Sequence, residues 1–275
     1  MSKVSDLQKE SMKMLKETSR TFFIPINCLK SNLKHTVASA YLCMRAIDEI
    51  EDHESLEGEA KHQLLLSISQ LLKKPFDEEA YASLIRPYRT VLPDVTQRLG
   101  DWLRLCPSEI VSKVKSSTSE MAEGMAKWVN LDFLIKTKAD LDEYTYYVAG
   151  LVGCMLSDLW KWYDNTNTDQ ELAIAFGRGL QAVNMLRNQD EDSERGVNFI
   201  PEGWSREDMF QYARQNLEKA DNYIKDIKDR RILLFCKIPL SLAHSTLNAL
   251  SKGKEKMSRD EVHEIVEQVK IEVNA

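Results

Sequence analysis

The sequence predicts an all-α fold. Three observations carry that expectation. Glycine and proline are sparse, ten and seven among 275 residues. No run of alternating polar and apolar residues stands out as a strand. Apolar residues recur instead at helical spacing, with charged residues on the outer faces, along the whole sequence. The length suits one large domain or two small ones. With no linker, repeat or low-complexity segment in sight, a single domain over residues 1–275 is expected, with a core large enough to enclose a ligand cavity.

The elements follow in order. Residues 3–17 form an amphipathic helix with Leu7, Met12 and Leu15 inward. The segment Ser19–Pro25, SRTFFIP, breaks it, and Ser19, Arg20 and Thr21 offer one charge and two hydroxyls to anion oxygens. Ser31 caps a helix reaching His53. Residues 57–73 and 77–89 read as surface-facing helices in a region punctuated by Pro75, Pro87, Pro93 and Pro107. Residues 108–129 make another helix, with Met121, Met125 and Trp128 on one side. After Asp140 a further helix aligns Tyr144, Val148, Leu151, Met155 and Trp162, while Gly150 and Gly153 permit close approach. Thr168 with Glu171 opens the helix that contains Gln181–Asp192, and residues 193–204 follow as a lid loop. Ser205 with Asp208, and Ser258 with Glu261, mark two more helix starts. Residues 231–250 are an apolar helix.

Two helices carry polar stripes. Gln181, Asn184, Asn188 and Asp192 recur at steps of three, four and four, which puts them on one narrow face. Ala182, Val183, Met185 and Leu186 cover much of the rest, so the stripe is expected to be buried against a cavity. Tyr41, Arg45, Asp48 and Asp52 repeat the design at steps of four, three and four. Asp48 and Asp52 supply hard oxygen ligands for a cation such as Mg2+, and Arg45 an anion contact. The two stripes are expected to face each other across metal and anion. An isolated DxxxD is ordinarily a solvated ion-paired face; its pairing with a second polar stripe makes a site the better reading.

Charge and cysteines exclude other classes. A net charge of −6 and the lack of a basic run interleaved with aromatics argue against nucleic-acid binding. Five widely spaced cysteines without a CxxC pair suggest reduced thiols rather than a disulfide framework or a zinc site. The start lacks a signal-peptide pattern, and no stretch reads as the roughly 20 apolar residues of a bilayer span. A cytoplasmic, monomeric protein is expected, with at most transient membrane contact.

The motif pair YxxxRxxDxxED (Tyr41–Asp52) and GxxxQxxNxxRNxxED (Gly177–Asp192) resembles the squalene/phytoene synthase family. SRTFFIP and DEYTYYVAGLVG, Asp142–Gly153, resemble two further family segments, and the likeness runs in order from about residue 15 to about residue 250. It implies an isoprenoid-synthase helical bundle around a central cavity. It implies that Asp48, Asp52, Asn188 and Asp192 hold magnesium and act in catalysis with Tyr144. Ser19, Arg20, Thr21, Phe22, Tyr41, Arg45, Gln181 and Asn184 would bind a prenyl diphosphate such as farnesyl diphosphate. The diphosphate leaves as its carbon–oxygen bond ionises, and an apolar cavity shelters the allylic cation.

Two departures matter. Where the family has an arginine four residues before the lid proline, Val197 stands here, with Arg195 two positions earlier. Asn188 replaces the aspartate that ordinarily starts the second acidic motif. An amide offers a carbonyl oxygen but no charge, so the second metal half reads as weaker than the first. Within the family the likeness is greatest to bacterial farnesyl diphosphate phosphatases, and the asymmetry agrees with hydrolysis to farnesol. A head-to-head prenyl transferase making squalene, dehydrosqualene or phytoene is the alternative, with Asn188 ligating well enough; a non-catalytic prenyl diphosphate binder is the third reading.

Overall fold

The computed structural model describes residues 3–194, 196–254 and 256–274, with only the backbone of Lys3, Val4 and Arg20. The described residues are mostly helical and contain no strand, as expected. They fall into two compact units, one of residues up to Ile26 with Lys30–Asp132, the other of Asn27–Leu29 with the chain from Phe133 onward.

In the first unit, α1 (Lys3–Thr18) buries Leu15 completely, while Leu7 and Met12 are half-buried. The expected break at Ser19–Pro25 is instead a second helix, α2 (Arg20–Cys28), which contributes to this unit up to Ile26. The reason is local. The Ser19 hydroxyl accepts the Phe22 N–H at 3.1 Å and so caps the new helix. The hydrogen bond that Pro25 cannot donate would reach only the carbonyl of exposed Thr21, in the first turn. Helix α3 (Ser31–Glu51) is capped by no side chain: Lys30 occupies the cap position in extended conformation, and Ser31 is the first helical residue. The helix also stops short of His53, with Asp52 at its C-cap.

Helix α3 is the unit's axis. Its apolar face is fully buried at Leu42, Ile47 and Ile50, against α1, α4 (Gly58–Leu72), α7 (Leu99–Leu105) and α8 (Val111–Asn130). Two short helices, α5 (Glu78–Ile85) and α6 (Asp94–Gln97), complete the unit. Buried hydroxyls fix it: Thr96 Oγ1 donates to the Ala46 carbonyl at 2.9 Å and Ser39 Oγ to that of Trp102 at 2.6 Å. Met121, Met125 and Trp128 of α8 are buried, as their spacing predicts.

In the second unit, the predicted Tyr144 helix is two helices, α9 (Lys138–Thr145) and α10 (Leu151–Asp164), joined by a π-turn at Tyr146–Gly150. A π-turn adds a residue and breaks the 3.6 periodicity. Tyr144, Leu151 and Met155 are buried, whereas Val148 and Trp162 are only half-buried. Helix α11 (Gln170–Glu194) crosses this segment at backbone contact. A Cβ on Gly177 would lie 2.1 Å from the Ala149 carbonyl oxygen, and one on Gly153 2.1 Å from that of Ala173. Asp169 caps α11, accepting the Leu172 N–H at 3.0 Å, in place of the predicted Thr168.

The boxes predicted at Ser205 and Ser258 are both present, opening α12 (Arg206–Tyr223) and α14 (Arg259–Asn274). Between them lies α13 (Arg230–Ser251). Contrary to the sequence reading, it is long and apolar enough to pass for a membrane span, with mean hydropathy 1.2, but half of that window is buried inside the unit. Its apolar face is a core surface, packed on α11, α12 and α14. The described cysteines are all free thiols.

Candidate active site

Helix α3 assembles the first stripe. Tyr41, Arg45, Asp48 and Asp52 follow one side of the helix, half-buried as far as Asp48 and exposed at Asp52, where the helix ends. Arg45 is clamped to its own helix. Nη1 meets Asp48 Oδ2, while Nε and Nη2 meet Glu49 Oε1 at 2.9 and 2.6 Å. Glu49 was not singled out in the sequence, although its four-residue spacing from Arg45 is an ordinary helical ion-pair signal. The phenol of Tyr41 is hydrogen-bonded to the Ser19 side chain, and its ring lies 5.9 Å from that of Phe22. Burial raises the Tyr41 phenol above its usual range, with Ser19 opposing.

The SRTF segment therefore reaches the stripe through Ser19 and Phe22. The Ser19 hydroxyl accepts the Phe22 N–H and meets Tyr41, and Thr21 is exposed. The side chain of Arg20 lies outside the described residues, as does Arg195 altogether.

The electrostatics of α3 suit a cation. Burial, and secondarily the charge of Asp52, push the Asp48 carboxyl up to about 7 from 3.8, against the pull of Arg45. Glu51 is buried at 4 % exposure, and its Oε1 has no hydrogen-bond partner. Burial and the neighbouring aspartates hold its carboxyl well above the usual range. Hard divalent cations relieve such crowding, and magnesium needs only one or two protein carboxylates when substrate phosphates and water complete its shell. Asp48 and Asp52 fit that donor set. Among the described residues, no three His, Cys, Asp or Glu side chains come together as a ready metal cluster.

The second stripe lies along α11. The expectation of a buried stripe holds at Asp192, 7 % exposed, and only partly at Gln181 and Asn188, which are half-buried; Asn184 is exposed. Ala182, Val183, Met185 and Leu186 are buried as predicted. The Asn188 Oδ1 accepts a hydrogen bond from Arg187 Nε at 3.1 Å, which engages the one atom the amide could offer a metal. Nearby Glu191 is paired with Lys256 at 3.1 Å. Asp192 is the buried acid that α11 could offer a metal.

The chain doubles back after α11. The Val197 N–H donates to the Asp192 carbonyl at 2.9 Å, and the Glu202 N–H to that of Lys136, also at 2.9 Å. This return brings Phe199 onto Tyr144. Just before it in α9, Asp142 is held across helices: Tyr212 donates to its carboxylate at 2.8 Å, and Arg178 donates to its carbonyl at 2.7 Å. That network escaped the sequence reading because its members lie on three helices.

The squalene/phytoene synthase model matches residues 15–209. The chain belongs to the squalene/phytoene synthase family. Rat squalene synthase is 28 % identical over 272 residues, which cover 90 % of this chain and 64 % of the rat protein. The squalene synthase of Nicotiana benthamiana is 28 % identical over 85 % of this chain and 62 % of its own length. The chain thus spans less than two thirds of these relatives. A solved structure of TcSQS with the ligand BPH1237 superposes with a TM-score of 0.79 at 21 % identity, covering 96 % of this chain and 86 % of that one. A dehydrosqualene synthase in complex with ligand gives 0.67 at 18 %, covering 98 % of both chains. These structures establish an isoprenoid-synthase fold for this family member.

Proposed function

We propose that this chain is a magnesium-dependent prenyl transferase that joins two prenyl diphosphates, such as farnesyl diphosphate, head to head. The observation that carries the reading is the α3 stripe, where a half-buried Arg45 stands beside a crowded acid pair. The squalene synthase relatives favour coupling over the hydrolysis expected from the sequence. Asp48 and Asp52 would hold magnesium, which neutralises negative charge on the leaving diphosphate when bound. Arg45 contributes a fixed positive charge toward the same anion. The diphosphate takes the bonding electron pair of the allylic carbon–oxygen bond, the double bond of the second prenyl chain supplies the pair for the new carbon–carbon bond, and the coupled chain then loses a proton to the released diphosphate. Tyr144 offers an aromatic ring to the cation, an attraction of about 0.5–2 kcal/mol.

Hydrolysis to the prenol is the second reading, and one observation favours it. With Asn188 uncharged and held by Arg187, α11 has a single buried acid, Asp192, with which to recruit metal. Weak binding of a second diphosphate would leave water to capture the cation. Incubation with radiolabelled farnesyl diphosphate, Mg2+ and a nicotinamide reductant, followed by extraction and chromatography, decides between them. A C30 product supports coupling, farnesol supports hydrolysis, and unchanged substrate overturns both in favour of a binding protein.

A further inference from the structure

Two phenylalanines outside every motif enclose the Tyr144 ring. Phe199, from the return after α11, stacks on it with centroids 5.0 Å apart and planes 14° from parallel. Phe133, from the segment before α9, meets both rings edge-on, at 6.2 Å and 84° to Tyr144 and at 6.3 Å and 75° to Phe199. Offset stacking and edge contacts are the favourable arrangements of aromatic quadrupoles. Together they fix one face and an edge of the tyrosine, whose exposure falls to 4 %.

The backbone that carries Phe133 is itself unusual. Phe133 has φ of 54°, the left-handed region, which is a genuine outlier for a bulky side chain. Strain of this kind persists where surrounding contacts over-determine it, and it clusters at working sites. Phe133 is followed at once by an anchored turn: Asp140 Oδ2 accepts the N–H groups of Lys136 and Thr137 at 3.1 and 2.8 Å. The bond from the Glu202 N–H to the Lys136 carbonyl then ties the segment bearing Phe133 to the one bearing Phe199. The two segments thus form one clasp over the tyrosine. Just beyond Tyr144 the helix passes into the π-turn.

We propose that Phe199 and Phe133 are positioning residues: they hold the Tyr144 ring in the orientation that the reaction uses, acting through it rather than on substrate. This rests on the reading of Tyr144 as the aromatic partner of the prenyl cation. A ring meant to meet a transient cation gains from being oriented beforehand, because orientation then costs nothing at the moment of reaction.

Phe199→Leu keeps an apolar side chain and removes the stack; Phe133→Leu removes the edge contacts. Each should lower kcat about ten- to a hundredfold with KM for farnesyl diphosphate nearly unchanged, and Phe199→Trp should restore most of it. A merely structural role would show as lost urea stability without a selective fall in kcat, and a KM rise equal to the kcat loss would place the rings on substrate; either overturns the proposal. A second readout needs no turnover. With 3-fluorotyrosine incorporated and the Tyr144 resonance assigned through Tyr144→Phe, Phe199→Leu should move that resonance toward the value of an unstacked ring, and Phe199→Trp should hold it away. A resonance that stays put overturns the proposal even if the wild-type protein makes no product, an outcome that would by itself fault only the proposed function.

Discussion

Asp48→Asn should make the protein more stable and nearly inactive. The carboxyl is raised from 3.8 to about 7, with burial first and Asp52 second among the causes. A raised acid binds its proton more tightly in the folded state than in the unfolded one. Its contribution is therefore fully present below the unfolded value of 3.8 and is lost as pH rises through about 7, leaving a penalty above that. About three pKa units at 1.36 kcal/mol each set a ceiling of about 4 kcal/mol. The side chain is 27 % exposed, so solvent screening and relaxation reduce this to about 2 kcal/mol. Asparagine mimics the neutral acid, so in chelator above pH 7 the variant should unfold about 5 °C higher. Its advantage should shrink toward zero near pH 4. Added magnesium should narrow the gap by stabilising the wild type. Turnover should fall about a hundredfold or more, because one metal-binding oxygen loses its charge. Thermal melts by far-ultraviolet circular dichroism across that pH range provide the assay. A variant less stable than wild type above pH 7, or an advantage that does not vary with pH, would refute the argument.

Three other outcomes follow from the geometry. Arg45→Ala should weaken binding of a prenyl diphosphate far more than binding of the matching prenol, measured by calorimetry; equal losses would make Arg45 only a partner for Asp48 and Glu49. Asn188→Asp should lower the magnesium concentration for half-maximal turnover about tenfold, and Arg187→Ala should lower it to a lesser extent by releasing the Asn188 carbonyl; a half-saturation point that stays put in both would clear the amide of any weakness. Gly153→Ala should cost about 3 kcal/mol in urea unfolding, because the new methyl would sit 2.1 Å from the Ala173 carbonyl oxygen on another helix; a change under about 0.5 kcal/mol would mean that the α10–α11 contact is looser than described.

The sequence by itself determined the all-helical class, most helix extents, the buried faces of α8 and α11, and the membership of the two stripes. These are properties of periodicity, and a helix converts spacing into facing without help from the rest of the molecule. It also located the caps at Ser205 and Ser258, where both partners of the box lie within four residues. Tertiary structure decided what spacing cannot express. Ser19 caps a helix that continues through Pro25, and its hydroxyl meets Tyr41 twenty-two positions later. The π-turn after Tyr144, which α11 passes closely at Gly177, breaks a register that the sequence alone reads as continuous. The apolar length of α13 suits a bilayer or a core equally well, and only its packing assigns it to the core. The burial that leads the rise of the Asp48 carboxyl and the enclosure of Tyr144 by Phe133 and Phe199 had no local signal. Desolvation and ring stacking depend on which distant segments arrive, and that information lies in the packed chain rather than in any window of it.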